Sequence, residues 1–317
     1  MYKRQRLLGR TRDRDFAAIR PGLLIFALCL VRDNIVDVFA EPFLVEPFGF
    51  AVLLASLGYV AARRTLDRDE ELGSLQKELE LAKRIQLSIL PGAFPASTAF
   101  EVAARYVPMT SVAGDFYDYL LGDDVQAGLL IADVSGHGVP AALIASMVKM
   151  AASSQRALAA EPDRLLAGMN AALYGNTQQQ LVTAAYVHLD ARAGLLRYAA
   201  AGHPAMFLWR AGEVMEILEN GLVMGLLPEV PYPCLKFALH TGDRLVLYTD
   251  GLVEASSASD EMFGEERLQR MMQETAGMTA AQAADAIVAR VKEWARVQED
   301  DLTVLICDYK GFEDEAG

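Results

Sequence analysis

The chain has 317 residues, 53% of them hydrophobic, and a formal net charge of −13. A molecule this acidic repels a phosphate backbone, which sets nucleic acid aside as a partner. Its three cysteines (Cys29, Cys234, Cys307) lack C-x-x-C spacing and histidine companions, which excludes a structural zinc and a disulfide scaffold; they read as small apolar filler in a reducing compartment.

Residues 1–64 hold the apolar surplus, in two runs, Pro21–Val31 and Pro47–Ala62. Each is shorter than the roughly 20 residues a spanning helix needs. Basic residues at both outer ends (Lys3, Arg4, Arg6, Arg10, Arg12 and Arg14; Arg63 and Arg64) nevertheless predict two transmembrane helices with a cytoplasmic start and finish, joined by an outer segment from Arg32 to Glu46. A signal peptide with a small residue at Ala40 and a buried soluble hairpin are the alternatives. The opening reads as the tail of a larger membrane sensor. On this reading the protein sits in the inner membrane, with everything after residue 64 in the cytoplasm.

Residues 65–92 form a charged helical linker. Leu72, Leu75, Leu79, Ala82, Gln86 and Ile89 step by three and four, the seam of a parallel coiled coil, with Leu81 and Ile85 as a second stripe. This predicts a homodimer through the linker, Gln86 fixing its register; the plainer alternative is one amphipathic helix covering a core. Pro91-Gly92 and Pro95 end the helix.

Residues 93–310 read as strands in groups with helices between groups. Strands are expected at 101–107, 116–121, 127–134, 182–189, 195–200, 206–210, 235–240, 244–249 and 302–309. Helices are expected at 140–158, 162–174, 265–275 and 280–295. This pattern is α+β with mostly antiparallel sheet, not a regular βαβ alternation. Residues 311–317 are expected to be a disordered tail.

Four acidic segments carry the chemistry: Asp115 in SVAGDFYDY, Asp133 in IADVSGHG, Asp250 in LVLYTDGLVEA, and Asp300-Asp301 in QEDDLTVLI. Each places an aspartate where an apolar strand ends or is about to begin. One such aspartate is ordinary turn punctuation. Several brought together make an all-oxygen cage for a hard divalent cation, Mg²⁺ or Mn²⁺, and two such ions activate water against a phosphate ester. Gly114 lets backbone approach a bound ion.

The motifs AGDFYD, ADVSGHGVPAAL, AAGHP, LYTDGLVEA, FGEERL and EDDLTVLI, in this order, resemble the bacterial SpoIIE-type branch of the metal-dependent (type 2C, PPM) serine/threonine protein phosphatases, over residues 81–309. AKRIQLSILP resembles the helix preceding this domain in stress-response and sigma-factor regulators. The resemblance implies an αββα sandwich, two antiparallel sheets flanked by helices, with the metals in a cleft at one end. It implies that Asp133 bridges two ions, that the Val134 carbonyl helps hold one, that Asp250 and Asp300 hold the other, and that Asp115 lies at or just behind the first. Asp133 and Asp250 become the catalytic carboxylates. His137 is the candidate proton donor to the leaving oxygen, against the plain reading of a helix-opening turn. Strand alternation is taken to turn Asp301 away, and Asp118 is a spectator or weak ligand. His203 is read as a turn residue near the cleft, His188 and His240 as structural or exposed. The implied substrate is a phosphorylated anti-sigma-factor antagonist. Two other readings stay open: a catalytically silent partner-binding module of the same fold, and a hydrolase of small phosphoesters.

Overall fold

The computed structural model describes residues 2–36 and 45–312, which divide into two compact units, Met1–Glu78 and Leu79–Gly317. In the first unit, α1 (Tyr2–Val36) runs through Pro21; α2 (Glu46–Ile89) starts in that unit, continues without a break from the second apolar run into the linker, and ends in the second. Asp33 turns the chain between them by accepting the Val45 and Glu46 N–H groups at 2.8 and 2.6 Å. Arg64 pairs with Asp15 at 2.7 Å, and Phe26 packs on Phe50.

Among the described residues no helix is long and apolar enough to cross a membrane, so the expected transmembrane pair finds no support there. The physical reason lies in the brackets of charge. Arg20, Arg32 and Asp33 confine the first apolar run, and Arg63 and Arg64 close the second. The expected signal-peptide site at Ala40, most of the outer segment and residues 313–317 of the tail lie outside the described residues.

In the second unit come β1 (Phe100–Val107), β2 (Phe116–Gly122), β3 (Gln126–Val134), α3 (Val139–Ser154), a 3-10 turn (Arg156–Leu158) and α4 (Pro162–Leu173). They are followed by β4 (Val182–Asp190), β5 (Leu195–Ala201), β6 (Met206–Arg210), β7 (Glu213–Ile217), β8 (Leu235–Ala238) and β9 (Arg244–Tyr248). The last elements are α5 (Gly251–Glu254), α6 (Glu265–Glu274), α7 (Ala280–Trp294) and β10 (Leu302–Tyr309). One sheet has the order β1-β10-β9-β6-β7 and the other β2-β3-β4-β5-β8, with every adjacent pair antiparallel. The sequence reading missed β7 and the single-turn α5. Both are too short for a periodic signal.

Side-chain alternation makes the layers. Leu129 and Ile131 of β3, Ala185 and Val187 of β4, Leu245 and Leu247 of β9 and Leu305 and Cys307 of β10 meet between the sheets. The opposite parity faces helices: Leu130, Ala132 and Val134 pack on α3 and α4, while Val246, Val304 and Ile306 pack on α6 and α7. The result is helix, sheet, sheet, helix. α7 opens on a capping box in which Thr279 and Gln282 satisfy each other's backbone N–H groups.

Candidate metal centre

The parity that fills the sandwich with apolar side chains also places the acids. Following each inter-sheet row outward gives Asp133 in β3, Thr183 in β4, Thr249 after β9, Thr303 in β10 and Asp115 before β2. These positions share one end of the sandwich, because β3 and β9 finish there and β4 and β10 begin there. At that end the rows change from apolar to polar.

Asp115 is 2% exposed, and one of its carboxylate oxygens accepts the hydroxyls of both Thr249 and Thr303. Burial and the neighbouring Asp133 hold its carboxyl well above the ordinary aspartate range, against those two hydrogen bonds. Asp133 is pushed up to about 7, first by burial and then by the charges of Asp250 and Asp300. Asp250 is raised by burial and then by Asp300. Asp300 lies in the exposed loop before β10 and accepts the Asp301 N–H at 2.8 Å. The structure thus brings Asp115, Asp133, Asp250 and Asp300 within range of one another's charge, and among the described residues none of these four forms an ion pair with a lysine or arginine.

Two glycines are required by close approach. A Cβ on Gly114 would stand 2.6 Å from the Val134 carbonyl oxygen, and one on Gly251 would stand 2.1 Å from the Asp301 carbonyl oxygen. The first keeps the Val134 carbonyl uncovered beside Asp133. The second lets the turn that carries Asp250 lie against the loop that carries Asp300.

Asp301 does not turn away. It is 5% exposed, and its two carboxylate oxygens accept the Met109 N–H at 2.7 Å and the Gly114 N–H at 2.8 Å. Counting outward from Leu305 and Thr303, the inward row reaches Asp301 and leaves Asp300 outside. Asp301 therefore ties the loop that carries Asp115 to the start of β10. Asp118 is a structural residue paired with Lys149 of α3 at 2.7 Å.

The turn after Asp133 is pinned by Ser135, whose N–H donates to the Leu181 carbonyl and whose hydroxyl accepts the Leu181 N–H. His137 follows, exposed and, among the described residues, without a side-chain hydrogen bond. His203 is buried; its Nδ1 lies 3.0 Å from the Thr183 hydroxyl, its Nε2 has no hydrogen-bond partner, and burial drives its pKa down to about 3, so it is neutral. His188 is buried beside Arg197, and His240 is exposed.

Gln86 is the residue that sequence reasoning misplaced. It is 7% exposed, and its side-chain amide both donates to the Ala113 carbonyl and accepts the Ala113 N–H. A glutamine in an apolar stripe one turn before a Pro-Gly break needs a buried partner. Here the partner is the backbone beside Gly114 and Asp115.

The donor set fits a divalent cation: hard carboxylate and carbonyl oxygens, close enough to feel one another's charge and, among the described residues, in an ion pair with no basic side chain. Among the described residues, no three His, Cys, Asp or Glu side chains already stand at metal-ligand spacing.

The family model described as stage II sporulation protein E (SpoIIE) matches residues 123–310. The chain belongs to the SpoIIE family. It is 27% identical to the phosphoserine phosphatase RsbU of Bacillus subtilis over 236 residues, 73% of this chain and 70% of RsbU. A second phosphoserine phosphatase of that organism, RsbP, is 25% identical over 58% of this chain, which spans 47% of RsbP. Among solved structures, the PP2C domain of SiaA from Pseudomonas aeruginosa superposes with a TM-score of 0.66 at 24% identity, covering 77% of this chain and 99% of that domain. The catalytic domain of the serine/threonine phosphatase PstP, solved with two manganese ions, superposes with a TM-score of 0.52 at 19% identity, covering 66% and 98%. The SpoIIE domain therefore has the PP2C fold of two antiparallel sheets with flanking helices.

Proposed function

We propose that this SpoIIE-family domain is a metal-dependent protein phosphatase that removes phosphate from phosphoserine or phosphothreonine in a signalling protein. The observation that carries this is the convergence of uncompensated carboxylates at one end of a PP2C sandwich. Asp133, Asp250, Asp300 and the Val134 carbonyl are the groups that would hold two Mn²⁺ or Mg²⁺ ions, with Asp115 at or just behind them. When bound, such ions supply Lewis acidity toward phosphoryl oxygens and a water of lowered pKa.

The chain's own residues prepare that chemistry. Thr249 and Thr303 aim the carboxylate of Asp115. Asp301 locks the Met109–Gly114 loop, and Ser135 fixes the turn that leaves Asp133. His137, exposed on that turn, is in our reading the proton donor to the departing seryl oxygen, directly or through water. The phosphoserine-phosphatase names of RsbU and RsbP support a phosphorylated regulatory protein as substrate, an anti-sigma-factor antagonist in our reading. Leu72 and Leu75, exposed on α2, are available for pairing with a second copy of the linker.

The test is phosphate release by the full chain from a phosphoserine protein or peptide and from p-nitrophenyl phosphate, with Mn²⁺ and with chelator. The expected result is Mn²⁺-dependent release with the phosphoprotein strongly preferred. Release from the small ester alone would support the small-phosphoester reading. None from either with Mn²⁺ present would support the silent module.

A further inference from the structure

A groove of about 400 Å³ opens beside the carboxylates, a size within the ~300–1,000 Å³ typical of binding clefts. Gly251 and Asp300 are among its lining residues, so the groove shares wall with the candidate metal centre. Lys292, in the last turn of α7, and Arg296, just beyond it, line it too, together with Ala295 and Val297. Both cations are exposed and, among the described residues, neither takes part in an ion pair. Most other arginines of the domain are already engaged, as Arg105 is with Asp285, Arg210 with Asp243 and Arg244 with Asp308.

Three acids, Glu254, Glu299 and Asp300, line the groove with the two cations, and Glu254 is close enough to raise the carboxyl of Asp250. Val291, Ala295, Val297 and Leu302 supply apolar wall, with Val297 63% exposed. The wall is built rather than loose. The Gln298 amide donates to the Val107 and Asp300 carbonyls, both at 2.9 Å, and the Arg296 N–H donates to the Ser256 carbonyl at 3.0 Å.

Resting on the phosphatase reading above, we infer that this groove seats the chain segment flanking the phosphorylated serine of the protein substrate, with acidic side chains of that segment against Lys292 and Arg296. A protein this acidic repels an acidic partner over most of its surface. Two unpaired cations beside the reaction centre offset that repulsion where the substrate must dock, and they set the register of the peptide relative to the phosphoryl group.

The experiment compares the full chain with a Lys292→Ala/Arg296→Ala variant in Mn²⁺, on three substrates: a phosphoserine peptide with acidic flanks, the same peptide with neutral flanks, and p-nitrophenyl phosphate. The wild type should prefer the acidic peptide by roughly tenfold in kcat/KM, about the effect of two exposed ion pairs. The variant should lose that preference through KM, with kcat and the p-nitrophenyl phosphate rate unchanged. A Lys292→Glu/Arg296→Glu variant should reverse it. A preference that survives both variants, or none in the wild type, overturns the groove assignment. If the wild type hydrolyses no substrate, the phosphatase reading itself fails. Fluorescence anisotropy of the acidic peptide then judges the groove separately: tighter binding to wild type than to the alanine variant supports it, and equal binding overturns it.

Discussion

Where β9 begins and β10 finishes, Asp243 and Asp308 each meet an arginine; where β9 finishes and β10 begins, Asp133, Asp250 and Asp300 meet none among the described residues. At the first end, Asp243 is 1% exposed and receives the Arg210 guanidinium at 2.6 Å, while Arg244 holds Asp308 at 2.6 Å and also donates to the Thr275 and Met278 carbonyls. At the second end, burial and neighbouring carboxylates raise Asp115, Asp133 and Asp250 above the ordinary aspartate range. The same residue type is thus structural at one end and held at a cost to stability at the other. A paired carboxylate explains itself within the fold. An unpaired buried one points to something that binds there.

The sharpest way to break the comparison is to neutralise one acid at each end. Asp133→Asn or Asp250→Asn should lower Mn²⁺-dependent kcat by about 10²-fold or more, since each removes several kcal/mol of metal-borne stabilisation. The metal-free protein should melt no lower than wild type, because a like charge has gone. Phosphate release and thermal melting in chelator measure both halves. Arg244→Ala should do the reverse, costing about 3–5 kcal/mol of stability by leaving Asp308 and two carbonyls unpaired, with kcat of the folded protein retained. Denaturant unfolding reads that loss. Equal effects at both ends would erase the distinction.

The pH dependence sharpens it further. The carboxyl of Asp133 is raised to about 7 in the fold, while an unfolded aspartate titrates near 3.8. The folded state therefore holds the extra proton, and its stabilisation is complete below about pH 4 and lost as pH rises through 7. Metal-free protein should melt at progressively lower temperature across that window, and Mn²⁺ should restore the loss at the alkaline side. A flat profile in chelator would contradict the crowding. The smallest effect expected is from Gln86→Leu, which strands the Ala113 N–H and carbonyl and should cost about 1–3 kcal/mol, read as a lower melting temperature.

Much of this was legible in the residues. The apolar alternation of LLIAD and RLVLYTD located β3 and β9 and put their terminal aspartates at strand mouths. The helical runs expected at 140–158, 162–174 and 280–295 correspond to α3, α4 and α7. What was not legible depended on partners distant in the chain. Thr249 and Thr303 look like ordinary strand residues until Asp115 is placed between them. Asp301 looked outward until its two backbone donors, Met109 and Gly114, were in view. Gln86 fitted a coiled-coil seam by spacing, and its contact with Ala113 is tertiary. The membrane assignment rested on flanking charge rather than on run length, and length is what a bilayer requires.

The central claim is that Asp133, Asp250 and Asp300 form one cation site, and calorimetric titration of Mn²⁺ into the full chain tests it most directly. The account predicts two ions bound per wild-type chain, with binding severely weakened by Asp133→Asn and unchanged by Asp243→Asn at the opposite end. Absence of binding to the wild type, or binding indifferent to Asp133→Asn, would contradict it.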